Sequence, residues 1–350
     1  MNRILFKIAV PAVFILLSLC IASIAAAKQE VYFYNWSEYL PEEVIRQFTK
    51  ETGIKVIYTT YDSNEAMYAK IRLLDGKGYD LVVPSGYFVN KMGREGLLRE
   101  IDKSRLNNFK NLDAQHTDRP FDPGNRYSIP YLWGSTGIIV NSAEIDPETV
   151  RSWADLWKPE FKGKVLLLND VRDVFFMSLR VLGLSGNTTN PDEIQQAYDK
   201  LVQLMPNVRL FNSDTPRVPY ITGEVSIGQI WNGEAFMAAE ENEKFVYIYP
   251  TEGAILWMDN LVIPKRAENV DNAHALIDFL LRPDIARAIC EEIGYASPNR
   301  EAVKLLDKDI RNNRTIYPTK EDLAGADFQV DIGEAIVIYE SWWEKLKTGR

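Results

Sequence analysis

Acidic side chains and aromatic rings recur together along this chain at spacings that put them on one face. From Tyr32 to Tyr39 (Tyr-Phe-Tyr-Asn-Trp-Ser-Glu-Tyr) a buried-looking strand ends in an indole, a carboxylate and a phenol: Trp36, Glu38 and Tyr39. Trp257 and Asp259 stand two apart in an apolar run, so in a strand they project to one face while Leu256, Met258 and Asn260 project to the other. Asp170 and Asp173 are three apart and share one side of a helix's first turn. Trp231 ends Ser226-Ile227-Gly228-Gln229-Ile230 just before Asn232-Gly233, and Tyr295 lies in the loop Ile293 to Asn299. The chemistry such a set suits is recognition of an organic cation. Carboxylates neutralise its charge, and electron-rich ring faces hold both the ammonium groups and the methylenes between them.

Each feature also has a plainer role. Asp259 could be held by backbone amides. Asp170 could serve as a helix N-cap, since acids are favoured at helix starts, and Arg172 tempers the charge of the pair. Trp231 could be core packing and Tyr295 a surface side chain.

The order of elements brings the clusters together. Glu30 to Asn35 is expected to be a strand. Pro41 to Thr52 should be a helix with Val44, Ile45 and Phe48 on one face and Gly53 at its end. Ile54 to Thr60 reads as a second strand, Ser63 as the cap of a helix with Met67, Ile71 and Leu74 on one face, and Tyr79 to Pro84 as a third strand. Strand, helix, strand, helix, strand implies a parallel sheet with helices on its faces. Ligands of such sheets bind beyond the carboxyl ends of the strands, which here carry Trp36 to Tyr39 and Ser85-Gly86-Tyr87. After about residue 135 the pattern repeats: Lys164 to Leu168 leads into Asn169-Asp170, and Val225 to Ile230 into Trp231-Asn232-Gly233, so a second sheet with a second rim is expected. Residues 100 to 130 read as surface loop. Ala254 to Pro264 reads as a strand crossing back to the first lobe, which gives a hinge. Asp331 to Lys347 should be a helix whose Tyr339, Trp342 and Trp343 pack on the second lobe.

At the N-terminus Arg3 and Lys7 precede an apolar run from Ile8 to Ile24 ending in Ala25-Ala26-Ala27, the pattern of a signal peptide cleaved after Ala27. An uncleaved anchor is the alternative, and Leu17-Ser18-Leu19-Cys20 fits a lipidation signal only in part, because Leu19 stands where a small residue is wanted. No later stretch approaches the length of a membrane span. With Cys20 removed, Cys290 has no disulfide partner, so stability must come from a core in each of two lobes, which a chain of 350 residues at 46% apolar content can build. Formal charge is -9, or -11 once Arg3 and Lys7 are gone (-9 minus 2). Such a balance disfavours nucleic acid and anionic lipid as partners.

Catalytic signatures are poor. His116 and His274 have no metal-ligand spacing, and neither a Gly-x-Ser-x-Gly elbow nor a phosphate-cradling glycine loop occurs, so no metal, cofactor or catalytic residue is expected. The best enzyme alternative is a glycosidase drawing two carboxylates from Glu38, Asp170, Asp173 and Asp259, or a carbohydrate-binding protein using the same rings.

Taken in order, Asn35-Trp36-Ser37-Glu38-Tyr39, Tyr79 to Ser85, Trp153-Ala154-Asp155-Leu156-Trp157-Lys158-Pro159, Ile230 to Gly233, Trp257-Met258-Asp259, Phe279 to Asp284 and Tyr339 to Arg350 give a specific match. Over essentially the whole mature chain the sequence resembles the periplasmic spermidine/putrescine-binding proteins of ABC importers. The resemblance implies an α/β, two-lobed type II periplasmic binding fold. The expected organisation is a signal peptide over residues 1–27, one lobe from 28–134 and 258–303, and the other from 135–257 and 304–350. The resemblance also implies a periplasmic receptor that delivers a protonated polyamine to a membrane permease; a monomer is expected. Trp36, Tyr39, Tyr87, Trp231, Trp257 and Tyr295 would box the methylenes. Asp170 and Asp173 would meet one terminal amine, Asp259 and Glu38 the other ammonium groups, and Ser37, Ser85 and Gln329 would add neutral hydrogen bonds. Ser37 stands where the family often has Thr. Asp173 stands where Glu is usual, which leaves the ranking of polyamines open.

Overall fold

The computed structural model describes residues 29–349. The expected signal peptide and Cys20 lie outside the described residues.

Strand β1 (Glu30–Trp36) leads through helix α1 (Glu42–Thr52), strand β2 (Lys55–Tyr61) and helix α2 (Asn64–Leu73) to strand β3 (Leu81–Val82) and helix α3 (Gly86–Arg94). β2, β1 and β3 pair in parallel. Helix α1 stops where Gly53 takes a left-handed conformation (φ 73°) and its N–H returns to Thr49 O, and α2 starts where the Ser63 hydroxyl accepts from the Ala66 N–H. The third strand is shorter than its apolar run suggests. Tyr79 stacks on Tyr34 (ring centroids 4.4 Å apart), and after Val82 the chain turns so that Ser85 bridges to Asp259.

Residues 100–127 are irregular, with a series of single 3-10 turns, and the expected loop ends three residues early, at the start of a strand. The Asp122 carboxylate organises their end, accepting from the N–H groups of Tyr127 (3.0 Å) and Ser128 (2.8 Å). The 14-residue strand β4 (Ser128–Asn141) follows, then β5 (Val165–Leu167), α4 (Val171–Val181), α5 (Pro191–Leu204), β6 (Val208–Phe211), β7 (Ile227–Trp231), α6 (Asn232–Glu241) and β8 (Phe245–Ile248). β5 pairs in parallel with β6 and β7, and β4 runs antiparallel to β7 and β8.

The expectation of two separate sheets needs correcting. Strand β9 (Ile255–Val262) pairs antiparallel with β4 from Ser128↔Val262 to Thr136↔Ile255, and its far end pairs with β3. The described strands therefore form one hydrogen-bonded sheet of ten, in the order β2-β1-β3-β9-β4-β7-β5-β6 with β8 and β10 (Asp327–Phe328) at the side. The reason is the length of β4, which carries one ladder through both lobes. The β4–β9 ribbon is the shared strip on which the halves meet.

Each half has its own core. Phe33, Phe48, Leu276, Ile277 and Ile289 pack on one side, the last three from α7 (Val270–Leu280) and α8 (Pro283–Ile293). On the other, Ile138, Trp153, Phe175, Phe176 and Leu201 pack with Tyr339 and Trp343 of α9 (Ile336–Thr348). Helix α9 begins five residues later than Asp331, after a 3-10 turn at Gly333–Ala335, and Trp342 stacks on Tyr198 at 4.5 Å. A smaller cluster of Phe236, Cys290, Ala296, Leu306 and Ile316 joins the halves beside the ribbon. Cys290 is buried there as a free thiol.

Candidate functional site

Both rims open on one cavity. Its first wall is built at the carboxyl ends of β1 and β2 and at the turn after β3. The Trp36 Nε1–H donates to Val83 O (2.9 Å), and the Ser37 N–H to Tyr61 O (3.1 Å), fixing the strand end. Asn64, at the start of α2, donates to Ser85 Oγ (3.0 Å) and the Tyr87 hydroxyl (3.2 Å) and accepts the Ser85 N–H. That places Ser85 Oγ 2.6 Å from Asp259 Oδ1, while the Tyr39 hydroxyl donates to Asp259 Oδ2 (2.8 Å). Asp259 is 4% exposed. Burial pushes its carboxyl up to about 7, against the partial relief of its Ser85 and Tyr39 hydrogen bonds.

The opposite wall comes from α4, β7 and β4. The Asp170 carboxylate caps α4, accepting the N–H groups of Arg172 (2.8 Å) and Asp173 (3.0 Å), so its N-cap role and its place on the cavity wall coincide. Asp173 accepts from Thr136 Oγ1 (2.9 Å), Trp231 Nε1 (3.2 Å) and Gln329 Nε2 (2.6 Å). Burial raises the carboxyls of both aspartates, and their mutual repulsion adds to that for Asp173. Trp231 meets Trp36 edge to face across the cavity, centroids 6.2 Å apart, and Trp257 meets Tyr295 at 5.3 Å.

The cavity wall thus holds Trp36, Ser37, Tyr39, Ser85, Tyr87, Asp170, Asp173, Trp231, Trp257, Asp259, Tyr295 and Gln329. Glu38 is not on it. At that position the backbone adopts a positive φ of 51°, and the carboxylate turns to Arg217, which binds it bidentately at 2.6 and 3.1 Å. The wall also carries residues the sequence reading passed over: Tyr61, Asn64, Ser213, Asp214 and Glu234. Tyr61 ends β2 and Ser213-Asp214 follow β6, so the rule of strand carboxyl ends, extended to those strands, reaches them. Glu234 lies in the first turn of α6, where an acid reads as helix-start electrostatics.

The electrostatics select for a cation. Among the described residues neither Asp259 nor Asp173 takes part in an ion pair; their partners are hydroxyl, indole and amide donors. A buried carboxylate with hydrogen bonds but no counter-charge keeps much of its desolvation cost, and an incoming ammonium group relieves it. Indole and phenol faces around the same space supply the complementary surface.

The family model for bacterial extracellular solute-binding proteins matches residues 43–318. The chain belongs to that family. This solute-binding protein is 55% identical over 320 residues to the spermidine/putrescine-binding periplasmic protein of Escherichia coli K12, covering 91% of this chain and 92% of that protein. A solved ABC-transporter structure from Listeria monocytogenes superposes on it with a TM-score of 0.89 at 40% identity, covering 92% of this chain and all of that one. The spermidine/putrescine ABC transporter substrate-binding protein of Streptococcus pneumoniae matches with a TM-score of 0.77 at 38% identity, covering 91% and 99%. The two-lobed solute-binding fold agrees with two separate cores meeting on the shared ribbon.

Proposed function

We propose that this protein is a periplasmic receptor that binds a protonated polyamine, spermidine or putrescine, between its lobes and presents it to the permease of an ABC importer. It is not an enzyme, and nothing favours the glycosidase alternative. The observation that carries the reading is the pair of buried carboxylate centres, Asp259 on one wall and Asp170–Asp173 on the other, joined by aromatic walls; among the described residues none of the three forms an ion pair, the nearby Arg172 guanidinium being turned to Val330 O and Asn187 Oδ1. In this reading Asp259 takes one ammonium group and Asp173 with Asp170 another. Trp36, Trp231, Trp257, Tyr39, Tyr87 and Tyr295 enclose the methylenes, and Ser37, Ser85 and Gln329 orient the carboxylates and the amines.

Closure follows from the division of the site. One wall comes from β1, β2 and the turn after β3, the other from α4 and β7, so only the closed arrangement offers both carboxylate centres at once. A ligand with that differential affinity shifts the population of the hinge. We place the lobes at 28–134 with 258–303 and at 135–257 with 304–350. Both first boundaries then fall inside β4 and β9, where the ribbon can twist without breaking either core.

Titration with spermidine and putrescine, followed by calorimetry and tryptophan fluorescence, tests the proposal. Saturable binding with a change in emission is expected, because Trp36, Trp231 and Trp257 line the cavity. Failure of both amines to bind, or release of an altered product after prolonged incubation, overturns it.

A further inference from the structure

Arg217 holds the position that an ammonium group of the ligand was expected to share with Glu38. It sits just ahead of the short helix Val218–Ile221, with a side chain only 15% exposed. Its Nη1 lies 2.6 Å from Glu38 Oε2 on the first lobe and 3.0 Å from Glu234 Oε2 on the second, and its Nη2 lies 3.1 Å from Glu38 Oε1. Glu241 approaches from behind, 3.6 Å from Nε. Glu234 is 4% exposed and lines the cavity, and the next residue back, Gly233, lies so close to Tyr295 that an added Cβ would sit 2.5 Å from that ring. The guanidinium is therefore wedged between the Tyr295 end of the cavity and the rim at Glu38, bonded to both carboxylates.

We infer that Arg217 is a specificity-determining residue that acts as a resident cation, limiting the ligand to two strongly held ammonium groups and favouring a diamine over a triamine. The inference rests on the polyamine reading of the site. At Asp259 and at the Asp170–Asp173 pair no side-chain cation forms an ion pair among the described residues, the Arg172 guanidinium near Asp170 being bonded to Val330 O and Asn187 Oδ1. A third centre, Glu38 with Glu234, is already served by a guanidinium whose planar fork matches carboxylate geometry. Because that cation is tethered, a third ammonium group of a triamine cannot displace it without leaving it buried beside the cavity. The triamine's extra charge is then desolvated with less return, whereas a diamine never needs the third centre. Specificity here comes from an occupied position as much as from an attractive one.

The test is calorimetry of putrescine and spermidine with the wild-type protein, Arg217→Met and Arg217→Gln, at pH 8 and constant salt, with folding checked by circular dichroism. Freeing Glu38 and Glu234 should raise the spermidine-to-putrescine affinity ratio by about tenfold or more, the scale of one hydrogen bond to a charged group, chiefly by tightening spermidine. Adding Glu38→Gln to Arg217→Met should remove most of that gain. A ratio unchanged within about twofold, or an equal loss for both amines as expected of a mere lobe-to-lobe latch, overturns the inference and leaves the polyamine reading intact. Binding of neither amine by the wild-type protein overturns both.

Discussion

Replacing Asp259 by Asn should make the unliganded protein more stable and the complex weaker. The carboxyl is 4% exposed, has only the Ser85 and Tyr39 hydroxyls as partners, and is pushed by burial from 3.8 to about 7. Since its affinity for a proton is higher folded than unfolded, its contribution to stability is fully present below about pH 4 and is lost as pH rises through about 7. At pH 8 the charge thus costs the fold up to about 4 kcal/mol, three units at about 1.4 kcal/mol each. The neutral amide avoids that cost but must share one hydroxyl through its N–H₂, so a net gain of roughly 1–2 kcal/mol is the reasonable expectation, or a few degrees in Tm. Binding moves the other way. Loss of one hydrogen bond to a charged group, about 1.5–3 kcal/mol, weakens polyamine binding by about 10- to 150-fold, more than Tyr87→Phe, which leaves the ring face in place. Thermal melts without ligand and calorimetry with spermidine at pH 8 measure both halves. A lower Tm together with unchanged affinity would refute the view that this carboxylate is held at a cost to the fold for the sake of a cation.

Two further outcomes follow from the same geometry. Polyamine affinity should rise with pH through about 7 and level off near pH 8, with protons released on binding below pH 7, because the bound ammonium groups require Asp259 and Asp173 ionised; at pH 6 the penalty from Asp259 alone is about tenfold. Calorimetry in buffers of different ionisation enthalpy checks this, and pH-independent affinity between 5.5 and 8 contradicts it. Gly134→Ala should lower stability by roughly 1–3 kcal/mol and weaken binding, because a Cβ on that residue of β4 would lie 2.2 Å from Asn232 Oδ1 and 2.7 Å from the Trp257 ring, displacing the indole. A melt and a titration indistinguishable from wild type would argue that Trp257 is free to move.

Much of this site was legible in the sequence because its residues sit where local pattern and topology coincide. Trp36 and Tyr39 end the first parallel strand, Asp170 and Asp173 open a helix after another, and Trp257 and Asp259 alternate along a third. In each case a strand's carboxyl end or face is predictable from periodicity alone. What could not be read was pairing between distant segments. Nothing local distinguishes Glu38 from a ligand carboxylate, since its commitment to Arg217 depends on a contact across 179 residues. Asn64 and Glu234 escaped for a related reason: a polar residue in a helix's first turn has a sufficient local explanation, so its cavity role appears only when the lobes are brought together. The single sheet was missed because no strand was read over residues 128–141, where 14 residues form the one strand that crosses the expected lobe boundary.

That continuity bears on how recognition is transmitted. Asp259 lies in β9 and pairs with Leu132 of β4, Trp257 pairs with Gly134, and Thr136, two positions further along β4, donates to Asp173 on the opposite wall. Both carboxylate centres are therefore attached to one ribbon within a few residues of each other, one directly and the other through the Thr136 hydroxyl. A cation drawn to both centres would load one short stretch of the ribbon from the two walls, and a change in twist is a response that leaves the packed flanking cores intact. Under the proposed function, lobe closure is expected to be coupled to simultaneous occupation of the two carboxylate centres, which a single small ammonium ion cannot achieve and a chain carrying two separated charges can.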